Sequence, residues 1–167
     1  MELTTKDRLV LINQFLILEK LYPDEADYYE KHRIALQQGY KLHYPWIVEN
    51  LWEELDESEC RRVLDTLDMY RAIKHSYERL KDKNGIDEHR VEFPGYDGNN
   101  ESHHLSYARY FIVDLDRYDE LRKDVEYPDF NSHCPMLDKY DRMLVRWAEF
   151  GKSHDLSAEN IKHLLEA

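Results

Sequence analysis

The chain has 167 residues, of which 42% are hydrophobic and 35% are charged, with only five glycines and five prolines. This composition is typical of a globular protein with a hydrophobic core, and it leaves little room for linkers or disordered segments. The formal net charge of -12 repels phosphate backbones and anionic lipid, so we expect neither a nucleic-acid partner nor a membrane partner.

Three features that the sequence lacks narrow the class of protein. No apolar run approaches the roughly 20 residues that a membrane-spanning helix needs. The apolar stretch VLINQFLIL near the N-terminus lacks a basic lead-in and a small-residue cleavage site, so we interpret it as part of a mature helix and not as a signal peptide. Cys60 and Cys134 provide neither a disulfide framework nor a cysteine metal site, which favours a location in the reducing cytoplasm.

The first predicted helix begins at Thr4 or Thr5, either of which can cap it, and it ends before Pro23. Its apolar side chains occupy more than one helical face: Leu9, Val10, Ile12, Phe15, Leu16, Ile17, Leu18 and Leu21. A helix that is apolar around most of its circumference is typical of a buried element. We therefore expect this helix to be buried on most sides.

The next two predicted helices follow closely. Acidic Asp24 and Glu25 open a helix that runs to about residue 38 and ends at Gly39, so the first two helices form a hairpin. Pro45 is suited to the first position of a short third helix over residues 45–55.

The fourth predicted helix has the most regular pattern in the chain. Asp56, with Glu59 three residues later, resembles a capping box. Apolar residues then recur every three or four positions as far as Asn84-Gly85: Cys60, Val63, Leu64, Leu67, Tyr70, Ile73, Tyr77 and Leu80. Such a helix would be roughly 40 Å long and would form the centre of the fold.

Residues 84–100 lack helical periodicity and contain Pro94, Gly95 and Gly98, which predicts a loop and the best candidate for a boundary between lobes. A fifth helix is predicted from Asn99 or Asn100 to Tyr118, followed by the irregular stretch VEYPDFNSHCP.

A sixth helix is predicted from about Pro135 to Gly151, and a seventh begins at the capping residue Ser157. No convincing alternation of period two interrupts the helical pattern. The sequence therefore predicts one all-α domain over residues 1–167, with about seven helices arranged as an N-terminal hairpin and a larger bundle.

Several segments in this order resemble one known family. They are LTTKDRLVLINQF, ECRRVLDTLDMYRAI, DEHRVEFPGYD, PMLDKYDRMLVRW and LSAENI. Together they are similar to the YfbU family of bacterial proteins over essentially the whole chain. The resemblance implies a compact, mainly helical cytoplasmic protein, and it implies no particular reaction, substrate or catalytic residue.

One candidate function of the chain is enzymatic. The segment Arg71-Ala-Ile-Lys-His75 is similar to the arginine-to-histidine motif of HEPN-type helical ribonucleases, in which the two side chains position and protonate a phosphate ester. The gap is one residue shorter than in that motif, and the acidic chain would repel RNA. An exposed arginine beside a helical histidine is the ordinary interpretation.

A second alternative is a metal-dependent hydrolase. Glu101-Ser-His-His104 places a carboxylate and an imidazole, Glu101 and His104, on one helical face, as carboxylate-bridged di-iron sites require. Such sites need a second copy of the motif, and the nearest candidate is the looser pair Glu159 and His163. We therefore expect no metal and no cofactor.

The remaining ionisable groups have ordinary interpretations. Two carboxylate pairs lie one helical turn apart, Asp65 with Asp68 and Asp138 with Asp141, but basic neighbours favour exposed ion pairs. Cys134, beside His133, could be a reactive thiol, although an isolated cysteine near a helix start is more often inert.

The aromatic residues favour a different function. Thirteen tyrosines, three tryptophans and five phenylalanines exceed the needs of a small helical core. Several tyrosines need not be buried: Tyr28, Tyr29, Tyr40, Tyr44, Tyr107 and Tyr110. Because Tyr and Trp are enriched in interfaces, we expect a non-enzymatic protein that acts through self-association or a protein partner.

Overall fold

The computed structural model describes residues 1–83, 85–122 and 129–167. They form two units, Met1–Glu54 and Leu55–Ala167, each with its own buried core. The described residues contain helices and no β-strand, apart from one isolated bridge between Tyr96 and Asn131. The predicted all-α fold, with an N-terminal hairpin and a larger helical unit, is confirmed. The described part of the predicted loop 84–100 lies inside the second unit.

The N-terminal unit begins with two helices, α1 (Thr5–Leu21) and α2 (Ala26–Gln38), joined by a 3-10 turn at Pro23–Glu25. Thr4 begins α1 with a capping box. Its hydroxyl accepts a hydrogen bond from the Asp7 N–H at 3.2 Å, and the Asp7 carboxylate accepts one from the Thr4 N–H at 2.9 Å. This reciprocal pair satisfies amides that the first helical turn otherwise leaves without partners.

The segment after α2 differs from the predicted α-helix over residues 45–55. Gly39 ends α2 in the left-handed region, with φ of 74°, as its position in the sequence predicted. The chain then forms a 3-10 helix, Lys41–Val48, which contains Pro45. Proline supplies no N–H and disfavours α-helical geometry in the residue before it, so the helical turn that begins at Lys41 does not continue as an α-helix through Pro45. Pro45 therefore lies inside a 3-10 helix and is not the first residue of an α-helix.

The core of the N-terminal unit consists of three buried side chains: Phe15, Leu36 and Tyr44. Two arginines hold α1 to α2. Arg8 Nε donates to the carbonyl oxygen of Leu36 at 2.8 Å, and Arg33 Nε donates to the Glu19 carboxylate at 2.5 Å. Both arginine contacts lie between the two helices of the hairpin.

The prediction that α1 is buried on most sides was wrong. Phe15 is its only buried side chain, and Leu9, Ile17 and Leu21 are more than half exposed. The physical reason is that, within the N-terminal unit, α1 packs on α2 along one side.

The second unit is built on α3 (Glu57–Arg79), against which α5 (Ser102–Arg109), α6 (Leu137–Glu149) and α7 (Ala158–Leu165) pack. A short helix, α4 (Glu88–Val91), interrupts the predicted loop. The side chains of α3 that are buried are Val63, Thr66, Leu67, Met69, Tyr70, Ala72, Ile73, Ser76 and Tyr77. They recur at the predicted three- and four-residue steps, which explains the central position of α3.

The ends of α3 differ from the prediction. The Asp56 side chain makes no capping hydrogen bond, and the expected capping box is not formed. The Glu59 carboxylate instead contacts His104 and Arg62. The helix ends at Arg79, and Asn84, part of the predicted end, lies outside the described residues.

The later helices are shorter than predicted. The helix α5 starts at Ser102 instead of residue 99 or 100, and it continues as a π-helical turn, Tyr110–Asp114. The helix α6 starts at Leu137, two residues after Pro135. Residues 123–128, which include part of the expected irregular stretch, lie outside the described residues.

The start of α7 agrees with the prediction. The Ser157 hydroxyl accepts a hydrogen bond from the Asn160 N–H at 3.1 Å. The flanking residues Leu156 and Ile161 are both buried, as expected for a hydrophobic staple.

Candidate functional site

Arg71, the first residue of the alternative catalytic pair, already has partners. It lies on α3, its Nε donates to the Glu120 carboxylate, and its guanidinium lies 3.7 Å from the centre of the Tyr118 ring. Partial burial acts to raise the pKa of Glu120, but the Arg71 hydrogen bond and charge outweigh it and lower that pKa. The Tyr118 hydroxyl donates to Asp68 at 2.6 Å. A phosphate would have to displace Glu120 to bind this guanidinium. His75, the second residue of the pair, is exposed one turn further along α3.

Glu101 joins the loop before α5 to the start of α6. The side chain is 4% exposed, and its carboxylate accepts hydrogen bonds from the backbone N–H groups of Met136 at 2.7 Å, Leu137 at 2.9 Å and Asp97 at 3.0 Å. The first amides of a helix have no partner inside the helix. Glu101 therefore supplies the cap that the sequence next to α6 lacks.

His104, the other residue of the alternative metal pair, has a different partner. Its Nε2 hydrogen-bonds the Glu59 carboxylate at 2.7 Å, and this bond, aided by Arg62, lowers the pKa of Glu59. Glu101 and His104 thus serve separate contacts. Among residues 1–83, 85–122 and 129–167, no group of three or more His, Cys, Asp or Glu side chains could hold a metal ion.

Three of the four aspartates in the two carboxylate pairs have basic or hydroxyl partners, and the partner of Asp68 is the Tyr118 hydroxyl. Asp65 lies 3.4 Å from Lys152 Nζ, and Asp141 forms an ion pair with Arg62. Cys134 is exposed, and its Sγ lies 3.8 Å from the sulfur of Met136.

The most unusual surface is the outward face of α1, which we define as its exposed positions from Leu9 to Leu21: Leu9, Val10, Asn13, Gln14, Leu16, Ile17, Lys20 and Leu21. None of these side chains is a carboxylate, although the chain contains 35 Asp and Glu residues. The one acidic residue in this stretch, Glu19, is turned toward α2 and paired with Arg33. Five of its eight side chains are aliphatic, so the face is largely apolar, and it is free of negative charge on an otherwise acidic protein.

The outward face of α1 also has the spacing of a helix-pairing surface. Two adjacent rows, residues 9, 13, 16, 20 and residues 10, 14, 17, 21, step by four, three and four. This is the alternation with which one helix packs against another in a coiled coil. The apolar side chains of α1 predicted a buried helix, so the sequence did not point to this exposed face. The absence of acidic residues at the same positions was the available signal.

The exposed aromatic side chains lie in both units. Tyr28, Tyr40 and Trp46 in the N-terminal unit are exposed, as is Tyr110 on the π-helical turn after α5. Tyr44 is instead buried in the core of the N-terminal unit. The tyrosines singled out in the sequence thus divide between core and surface.

A comparison with known protein families shows which family the chain belongs to. The model of the YfbU domain matches residues 1–167, the whole of this sequence. The chain belongs to the YfbU family. In the part of this YfbU domain that the structure describes, none of the helices has the length and apolar character required to cross a membrane.

Proposed function

We propose that this YfbU protein acts without catalysis, through protein–protein contacts, and that its primary partner is a second copy of itself. The observation that supports this proposal is the outward face of α1, which exposes Leu9, Val10, Leu16, Ile17 and Leu21. Five exposed aliphatic side chains on one helix are a concentration of exposed apolar surface, which in soluble proteins marks an interaction site.

The net charge of the chain indicates which surface two copies would use to associate. Two molecules that each carry a net charge of -12 repel one another, and acidic side chains facing each other would add to the repulsion. The outward face of α1 contains no carboxylate, so two copies can approach there without creating pairs of like negative charges. A twofold interface uses the same patch on both copies, which suits a surface that is largely apolar and has apolar side chains at both ends.

The spacing of the face suggests an antiparallel arrangement. A twofold axis near the middle of the face, between the layer of Asn13 and Gln14 and the layer of Leu16 and Ile17, would bring the side chains at the start of the face against those at its end. The two amides would then lie near the axis, where polar residues in helical seams fix the register of pairing. The bacterial cytoplasm, with no nucleic acid and no cofactor involved, is the proposed setting.

The test is the oligomeric state in solution. Sedimentation equilibrium of the wild type at micromolar concentration should show a dimer. The double variant Leu16→Glu/Ile17→Glu should be monomeric, because it removes four apolar side chains from a dimer and places four carboxylates in the interface. Each half-exposed side chain contributes about 1 kcal/mol of burial, so we expect at least about a hundredfold weaker association.

A matched control separates this effect from added charge alone. Val145 is 63% exposed on α6, so Val145→Glu makes a similar change on the second unit. That variant should remain dimeric, and circular dichroism should show native helix content for all three proteins. A strictly monomeric wild type, or a dimeric Leu16→Glu/Ile17→Glu variant, would contradict the proposal.

The ribonuclease alternative has a direct test of its own. The Arg71 guanidinium is paired with Glu120 and stacked on Tyr118, which makes it a poor phosphate ligand. We therefore expect no RNA cleavage that depends on His75. RNA cleavage by the wild type that is lost in His75→Ala would support the ribonuclease function and contradict the non-catalytic one.

A further inference from the structure

The N-terminal unit contains a cleft of about 370 Å³ between α2 and the 3-10 helix Lys41–Val48. Small-molecule sites usually have volumes of this order and apolar walls, with a few polar groups that fix the orientation of the ligand. All the residues that line the cleft lie between positions 28 and 49 of the chain, so the cleft is distinct from the outward face of α1.

The local helix geometry explains the two walls of the cleft. A 3-10 helix has three residues per turn, so side chains three positions apart lie in one row. One wall is such a row, which extends from one cap of the 3-10 helix to the other: Tyr40, His43, Trp46 and Glu49. On an α-helix, residues three or four positions apart share a side. The other wall is one side of α2: Tyr28, Lys31, His32, Ile34 and Ala35.

The two residues of the lining that carry full charges are not paired within the chain. Lys31 and Glu49 are both exposed, and neither forms an ion pair with any residue that the structure describes. Burial lowers the pKa of His32, while the negative charge of Glu49 acts to raise it, so the Glu49 carboxylate lies within electrostatic range of His32. Lys31 precedes His32 on the same wall. One cation and one anion therefore flank the same part of the cleft.

These charges narrow the chemistry of a ligand. A ligand with a single charge would satisfy Lys31 or Glu49 and would be repelled by the other, whereas complementary charges favour binding. In the zwitterionic form of an amino acid, the ammonium and carboxylate groups are attached to one carbon atom, so both charges lie at one end of the molecule. The side chain extends from that end and can lie against apolar walls.

From the lining of this cleft we propose that it binds a free α-amino acid with a large apolar side chain. The ammonium group of the ligand pairs with Glu49, its carboxylate pairs with Lys31, and its side chain lies between Tyr28 and Trp46. Aromatic rings attract one another beyond the effect of their buried area, so phenylalanine is a suitable probe. The site belongs to one unit of the chain and does not depend on self-association.

Titration with L-phenylalanine, followed by ¹H–¹⁵N NMR, tests the proposal. We expect saturable shifts centred on residues 28–49, with a dissociation constant on the order of 1 mM. Two analogues of similar shape each lack one charge: 2-phenylethylamine has no carboxylate, and 3-phenylpropanoate has no ammonium group. Each should bind the wild type about fivefold more weakly, since one ion pair is lost. L-Alanine keeps both charges and lacks the ring, so it should give no saturable shift at about 10 mM.

Substitutions at the two charged residues identify which ligand group each one meets. Glu49→Gln should weaken the binding of phenylalanine about fivefold without weakening that of 3-phenylpropanoate. Lys31→Gln should weaken the binding of phenylalanine by a similar factor without weakening that of 2-phenylethylamine. The matched control is Glu53→Gln, at an exposed glutamate of the same unit outside the cleft, which should bind phenylalanine as the wild type does.

Three results would overturn the proposal. The first is no saturable shift with phenylalanine at about 10 mM. The second is binding of 3-phenylpropanoate or 2-phenylethylamine to the wild type as tightly as phenylalanine, because the site would then recognise a single charge or none. The third is unchanged binding of phenylalanine by Glu49→Gln or Lys31→Gln. The comparison of the three ligands uses the wild type alone, so it does not depend on how the variants fold.

Discussion

Replacing Glu101 with glutamine tests whether one buried carboxylate holds the loop before α5 to the start of α6. The wild-type carboxylate accepts three backbone N–H bonds: one oxygen from Met136 and Leu137, the other from Asp97. Glutamine keeps only one acceptor oxygen. In either orientation of its amide, the NH₂ group faces at least one backbone N–H.

The magnitude follows from these contacts. A hydrogen bond to a charged group contributes about 1.5–3 kcal/mol, and Glu101→Gln loses at least one such bond and weakens the others. We expect the free energy of unfolding to fall by about 2–3 kcal/mol. Glu101→Ala leaves all three N–H groups without this acceptor and should cost about 4–6 kcal/mol, a large fraction of the 5–15 kcal/mol typical of a whole domain.

Urea denaturation followed by far-ultraviolet circular dichroism measures the change in the free energy of unfolding. Hydrogen exchange of the Met136 and Leu137 amides measures the loss of protection at the start of α6. Glu78 is exposed on α3, so Glu78→Gln is a matched control that should change stability by less than about 0.5 kcal/mol. If Glu101→Gln is as stable as this control, and the two amides exchange no faster than in the wild type, the assigned role of Glu101 is wrong.

Two further predictions concern residues of the second unit, Leu55–Ala167. Gly95 has φ of 93°, and a Cβ atom built on it would lie 1.7 Å from the carbonyl oxygen of Phe130. Gly95→Ala should therefore lower the free energy of unfolding, measured by urea denaturation, by about 3 kcal/mol or more. Gly151 is the control, because it has φ of 63° and no atom lies within 4 Å of a Cβ built on it. Gly151→Ala should lower the free energy of unfolding by about 1 kcal/mol. Equal losses for the two variants would contradict the steric explanation. The pKa of Glu59 is lowered chiefly by its hydrogen bond with His104, so its stabilising contribution is complete above the unfolded glutamate pKa of about 4.3 and is lost as the pH falls below it. Glu59→Gln should therefore lose less stability than the wild type between about pH 5 and pH 3, and denaturation curves of equal pH dependence would refute this.

Predictions that depended on neighbouring residues succeeded most often. Thr4, Ser157 and Gly39 were identified from the sequence as helix ends, and each has the expected geometry. A capping side chain reaches amides only two or three residues away, so the required partners lie within one short segment. At Asp56 the expected capping box does not form, and Glu59 instead contacts a residue far along the chain, His104.

The candidate sites depended on residues far apart in the chain. Glu101 looked like one half of a metal motif, yet its partners Met136 and Leu137 lie 35 and 36 positions later. Arg71 looked like a catalytic residue, yet its partner Glu120 is 49 positions away. No local pattern indicates these pairings, because they are formed only when separate helices pack together.

The sequence by itself determined that this protein is helical, where most of its helices lie and how several of them begin and end. Those properties follow from side-chain spacing along a helix and from hydrogen bonds within one turn. The tertiary structure decided which faces are covered, including the exposed side of α1, the cleft beside His43 and the burial of Glu101. Burial depends on which elements pack against a residue, and the elements that do so come from distant parts of the chain.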